Sequence, residues 1–186
     1  MIRLAGAVLP ALAMLAAWLL PAGPAAAAGS VPCGNSTWAP KRLTLREMRE
    51  SELCLINRVR AHFHLRKLAY NEELRDSATG HSDSMVAHHY FAHEGPGGSM
   101  DSRITRTGYL ARASAFTIGE NIGGGHGRRW GSPMAVFEEW MHSPPHRANI
   151  LDPSFRDAGV GVARGYPTGV ESGSATYTVD FGARSR

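Results

Sequence analysis

Ala158-Gly-Val-Gly-Val-Ala163 and Ala175-Thr-Tyr-Thr-Val-Asp-Phe181 both change character at every second residue, and that period decides the fold class. Successive side chains leave opposite faces of an extended chain, so alternation marks strands. A Gly/Pro loop joins the two stretches, which therefore read as a terminal hairpin. Upstream the period is helical. Thr44 and Glu47 make a capping box, and Leu45, Met48, Glu52, Leu55, Ile56 and Val59 follow at near-helical spacing, with Glu52 the exception in the stripe. Asn71 is expected to cap a second helix whose Leu74, Ala78, His81 and Met85 share a face. Asp101 is expected to cap a short third helix ending at Gly108. Ser132-Pro133 starts another, with Val136, Phe137 and Trp140 inward and Pro144-Pro145 ending it. Residues 113–130 read as loop, with a Gly run at 123–125 and a short strand around Phe116–Ile118. Helices first and a hairpin last predict an α+β fold.

The N-terminus reads as an export signal. Arg3 precedes an uncharged apolar run from Leu4 to Leu20, and Ala26-Ala27-Ala28 supplies small residues for cleavage near Ala28–Gly29. A membrane anchor is the alternative, but the run is short for a span and no basic stop follows it. The expected layout is a signal peptide over 1–28, a mature leader over 29–43 and one domain over 44–184, so the mature protein carries no transmembrane segment. Export favours a disulfide between the two cysteines, Cys33 and Cys54, over two free thiols. The formal net charge is +4, and the arginines form no run and interleave with no aromatic stripe, which argues against nucleic-acid binding.

The chain has nine histidines, and their contexts differ. His62 and His64 fall at the end of the first helix and read as surface residues. His81 reads as a hydrogen-bonded core histidine, and His88 and His89 as helix-end groups. His93 differs, because Tyr90-Phe91 just before it would anchor its loop in the core. His146 differs too, since Pro144-Pro145 stiffens the chain before it and Ile150-Leu151 would dock the segment after it. Glu120 lies between Gly119 and Asn121, where backbone approaches closely. These three form either one polar site or separate loop groups bonded to backbone. Ser143 is a nucleophile candidate, although a capping hydroxyl is the commoner role. No H-E-x-x-H, phosphate loop or G-x-S-x-G is present.

Taken in order, Cys54-Leu-Ile-Asn57-x-x-Arg60, Tyr90-Phe91-x-His93, Gly119-Glu120-Asn121-Ile122, Trp140-Met141-x-Ser143-Pro144-x-His146-Arg147-x-Asn149-Ile150-Leu151, Gly159-Val160-Gly161 and Phe181-Gly182 form a pattern. It resembles the CAP superfamily of cysteine-rich secretory, antigen 5 and plant pathogenesis-related proteins, in its short secreted bacterial form. The resemblance implies a three-layer α-β-α sandwich with a small, mainly antiparallel central sheet. It implies a cleft floored by His93, Glu120 and His146, with Asn121, Ser143, Arg147 and Asn149 in support. Animal and plant members carry a second Glu three residues after the helix Trp, and here that position is Ser143.

Two neutral imidazoles and a carboxylate suffice as protein donors for Zn²⁺ or another divalent cation, with a position left for water. Such binding would weaken below about pH 6, as imidazoles protonate. The leading expectation is a secreted, extracellular binding module for a divalent metal and a lipid-like or envelope-derived ligand, the lipid part coming only from the resemblance. The alternatives are an interaction protein with a vestigial cleft and a hydrolase or protease using His93, Glu120 and His146.

Overall fold

A computed structural model describes residues 33–169 and 172–185. The expected signal peptide and residues 29–32 of the leader lie outside the described residues. Six helices and four strands follow in the order α1 (Leu45–His62), β1 (Ala69–Tyr70), α2 (Glu72–Ala87), α3 (Met100–Arg106), β2 (Ala115–His126), α4 (Gly127–Gly131), α5 (Pro133–His142), α6 (Pro144–Leu151), β3 (Asp157–Arg164) and β4 (Ser174–Ser185). The helix starts follow local chemistry. The Thr44 hydroxyl accepts from the Glu47 N–H at 3.1 Å while the Glu47 carboxylate accepts from the Thr44 N–H at 2.7 Å. Asn71 caps α2 by accepting from the Leu74 N–H at 2.9 Å. For α3 the cap is Ser99 and not Asp101, which falls in the first turn.

The sheet has the order β1-β3-β4-β2. β4 pairs antiparallel with β3 and with β2, and the two-residue β1 runs parallel to β3, so the sheet is mixed. The alternation in β3 and β4 does not separate inside from outside, because both faces are covered. Gly159 and Gly161 lie so near α2 that a Cβ would come within 2.0 Å of Arg75 N and 2.1 Å of the Ala78 carbonyl carbon. Thr176, Thr178 and Asp180 are buried on that same side, where Ser82 Oγ donates to Thr178 Oγ1 at 2.9 Å. On the other side Val160, Val162, Tyr177, Val179 and Phe181 join Met48, Ile56, Val136, Trp140 and Ile150 in the main core. Helices on both faces of a sheet make the α-β-α sandwich. The two layers differ in chemistry, small and polar toward α2, apolar toward α1 and α5.

Two further expectations differ from the fold. The stretch read as loop with a short strand is one twelve-residue strand, β2, running through the Gly run. Its glycines hid the pattern because each removes a side chain where a neighbour packs: a Cβ on Gly123 would meet Trp140 and Val136 at 2.8 Å. Pro144-Pro145 does end α5, but the same prolines open α6, since proline fits the first turn of a helix. His146 is therefore on a helix and not on a loop.

β2 lies at the edge of the sheet, and side chains from α5 and α6 meet its outward carbonyls. Trp140 Nε1 donates to the Ile122 carbonyl at 2.8 Å, and Asn149 Nδ2 to the Glu120 carbonyl at 3.1 Å. Arg60, fully buried in α1, holds the end of α6 by donating to the Ile150 and Asp152 carbonyls at 2.8 and 2.9 Å. The Cys33–Cys54 disulfide is formed and ties the leader to α1. Among the described residues no helix is long and apolar enough to cross a membrane.

Candidate functional site

Glu120 is the hub of the site. It sits in β2 directly opposite Asp180 of β4, so both side chains leave the sheet toward α2, where both are buried. His93 Nδ1 donates to Glu120 Oε1 at 2.8 Å, while its ring stays open to solvent. Arg103 of α3 donates through Nη2 to Glu120 Oε2, and through Nη1 to the carbonyls of His93 at 3.0 Å and Gly98 at 2.7 Å. One guanidinium thus fixes the carboxylate and the loop that carries His93. His81, fully buried in α2, donates from Nε2 to the Ala92 carbonyl at 3.0 Å and lies 3.9 Å from Glu120 Oε1. It is the hydrogen-bonded core histidine expected, placed beneath the site.

The electrostatics follow from these contacts. Burial opposes charge on Glu120, but the His93 hydrogen bond and the Arg103 charge outweigh it and hold the carboxyl below its ordinary range. The bond to Glu120 raises the His93 imidazole above its ordinary value, against burial. Burial lowers His146, and the neighbouring His93 charge lowers it further. Burial keeps Asp180 protonated well above the usual range, helped by the Glu120 charge across the ladder.

His146 is carried by α6, which packs against β2 on the side where Asn121 points. Asn121 Nδ2 donates to its carbonyl at 3.0 Å, and Asn149 Nδ2 donates to Asn121 Oδ1 at 2.9 Å, so the two asparagines brace α6 on the strand. The His146 ring is half-buried and lines a cleft of about 230 Å³ together with Phe91, Gly123, Glu139, Ser143 and Tyr166. Two expected supports differ in role. Ser143 lines the cleft at the joint between α5 and α6 without capping either through its hydroxyl. Arg147 turns away and lies over the Phe63 ring at 5.4 Å. Phe91 does not anchor its loop in the core; it is 44% exposed and packs on Tyr166, with ring centroids 5.6 Å apart. Tyr90, half-buried against His81, does the anchoring.

The expected three-donor metal set is not assembled. Both Glu120 oxygens are engaged, one by a guanidinium, and among the described residues no three His, Cys, Asp or Glu side chains converge as ligands. Two imidazoles do suit a divalent cation. The Glu120 bond places the proton of neutral His93 on Nδ1 and leaves the Nε2 lone pair free, the arrangement in which a carboxylate orients a metal-binding histidine. Sequence reading missed Arg103 and Glu139. Arg103 gives no local signal for the site, because its bonds to His93 and Glu120 span 10 and 17 residues.

Comparison with known proteins agrees with this architecture. Residues 53–181 match the cysteine-rich secretory protein (CAP) family. The Bacillus subtilis protein YkwD is 36% identical over 141 residues, covering 75% of this chain and 48% of its own length. The B. subtilis membrane protein YlbC is 34% identical over 62% of this chain and 32% of its own. The chain thus spans about half or less of these relatives' lengths. An extracellular SCP-domain protein from Bacillus anthracis aligns with TM-score 0.58 at 28% identity, over 75% of this chain and 43% of that one. An outer surface protein of Borrelia burgdorferi shares the fold with TM-score 0.63 at 17% identity, over 77% of this chain and 97% of its own. With the motifs, the sandwich and the family match in agreement, the chain belongs to the cysteine-rich secretory protein (CAP) family.

Proposed function

We propose that this protein is an extracellular binding module whose cleft takes a divalent cation, zinc foremost, between His93 and His146, with water or a ligand group completing the coordination. The supporting observation is the His93 Nδ1–Glu120 contact at 2.8 Å, which orients one imidazole with its Nε2 free. Bound there, the cation would supply an electrophilic anchor for an oxygen or nitrogen donor of a ligand. Glu120 orients and Arg103 neutralises; neither is a ligand. Export agrees with the disulfide and with the extracellular SCP-domain relative. A hydrolytic role has weaker support, because among the described residues no hydroxyl or thiol is hydrogen-bonded to either imidazole.

Calorimetric zinc titration of the oxidised mature domain near pH 7.4, where most histidines are neutral, is the test. One-to-one binding is expected, abolished by His146→Ala and weakened about 10- to 100-fold by Glu120→Gln, the usual scale for an orienting partner. Absence of binding by the folded protein, or binding unchanged in His146→Ala, defeats the reading.

A second reading concerns a lipid-like ligand. A groove of about 390 Å³ between α1 and α5 is lined by Leu55, Val59, Met134, Phe137 and Met141, with Arg58 and His62 on it. Apolar walls with a basic group suit an acyl chain with an acidic head. Retention of a labelled fatty acid through gel filtration is expected, and its loss on Val59→Asp; no retention by the intact domain overturns this reading.

A further inference from the structure

The cleft beside His146 holds a second recognition element that the metal reading does not use. Phe91 is a large apolar side chain left 44% exposed. It is not loose: its ring packs on Tyr166, and His89 Nδ1, two residues before it, donates to the Pro167 carbonyl at 3.1 Å. These contacts hold the two loops together as an aromatic wall. Gly123 and Gly124 of β2 line the cleft with bare backbone, and Glu139 of α5 lines it as well.

Charge decides what this cleft favours. Glu120 is already matched by Arg103, which is itself 4% exposed and sealed beneath it. Arg147 lies over Phe63, just past the end of α1, and not over the cleft. Glu139 is exposed and, among the described residues, makes no ion pair. The cleft therefore presents one uncompensated carboxylate and an aromatic pair. Aromatic faces attract cations through the ring quadrupole, and a quaternary or primary ammonium is the group that satisfies both features.

We propose that the cleft formed by Phe91, Tyr166, Gly123, Gly124 and Glu139 is a binding subsite for an organic ammonium group, either a lysine side chain or a choline-type headgroup. The subsite is independent of metal, so it is tested with a chelator present and with both histidines intact. Choline, Nα-acetyl-lysine amide and the uncharged carbon isostere of choline are titrated by NMR into the wild type, Glu139→Gln and Phe91→Leu. Phe91→Leu keeps apolar bulk on an exposed position, and its amide spectrum checks the fold. The expected result is saturable binding of at least one cation. Each substitution should weaken it about tenfold, the scale of one cation–π or ionic contact, with the isostere weaker than choline and insensitive to Glu139→Gln. Choline alone binding assigns the headgroup, and the lysine amide alone assigns the side chain. Failure of both cations to bind, equal binding of the isostere, or indifference of cation binding to Glu139→Gln overturns the proposal. None of these outcomes bears on zinc binding, which rests on His146.

Discussion

Arg103 and His93 hold opposite oxygens of a single carboxylate: the guanidinium takes Glu120 Oε2 while the imidazole takes Oε1. The same guanidinium also accounts for the His93 carbonyl. Replacing Arg103 by Met leaves the buried carboxylate with His93 as its one hydrogen-bond partner, and removing one side of a buried pair costs about 3–5 kcal/mol. That loss is expected in urea unfolding at neutral pH. It should shrink in acid, because in the variant Glu120 escapes the penalty by taking a proton. A loss that does not vary with pH would mean that Arg103 acts only through packing.

The pair also sets how His93 titrates. Glu120 raises the imidazole above 6.5 by accepting its hydrogen bond, while burial and the Arg103 charge act against it. A raised histidine contributes stability that is complete below 6.5 and is lost as pH rises through the folded value. Glu120, held below 4.5, contributes the opposite way, with stability present above 4.5 and lost as pH falls through its folded value. In Glu120→Gln the carboxylate charge is gone, while burial and the Arg103 charge still lower His93. Its pKa is expected to fall, as followed by NMR titration of the ring protons.

Glu52 lies in α1 on the face that packs into the core, 0% exposed, and neither carboxyl oxygen has a hydrogen-bond partner among the described residues. Burial pushes it well above 4.5, so the folded state keeps a proton that the unfolded chain releases, and stability falls as pH rises above 4.5. Glu52→Met is expected to stabilise the domain by about 1–3 kcal/mol near neutral pH, and by less in acid. Thermal unfolding at two pH values measures both.

The Cys33–Cys54 bond closes a 21-residue separation. Its loss is expected to cost about 3 kcal/mol through the unfolded chain's recovered freedom. Urea unfolding with and without reductant gives the figure, and Cys33→Ser/Cys54→Ser should match the reduced wild type.

What was legible in the sequence is what depends on neighbours in the chain. Thr44 with Glu47, Asn71, and Ser132-Pro133 mark helix starts through contacts three residues long, and each does so in the fold. The family motifs gave His93, Glu120 and His146, and the fold brings the first two into contact. Features that depend on distant partners were hidden. Gly119 and Gly123 resemble loop residues until Phe155 and Trp140 fill the space beside them. Glu52 broke an apolar stripe by its chemistry but kept to it by its position. Arg103 carried no signal, because nothing near it in sequence names Glu120 as its partner.

Trp140 and Asn149 occupy the outward carbonyls of β2 at Ile122 and Glu120. Those carbonyls are where a strand from another molecule would otherwise dock. The helices that carry His146 into the cleft therefore also keep the sheet from extending into a second chain. Loosening α6, for instance by Asn149→Ala, is expected to release the histidine and expose the edge together, so impaired ligand binding and self-association should arise in the same variants.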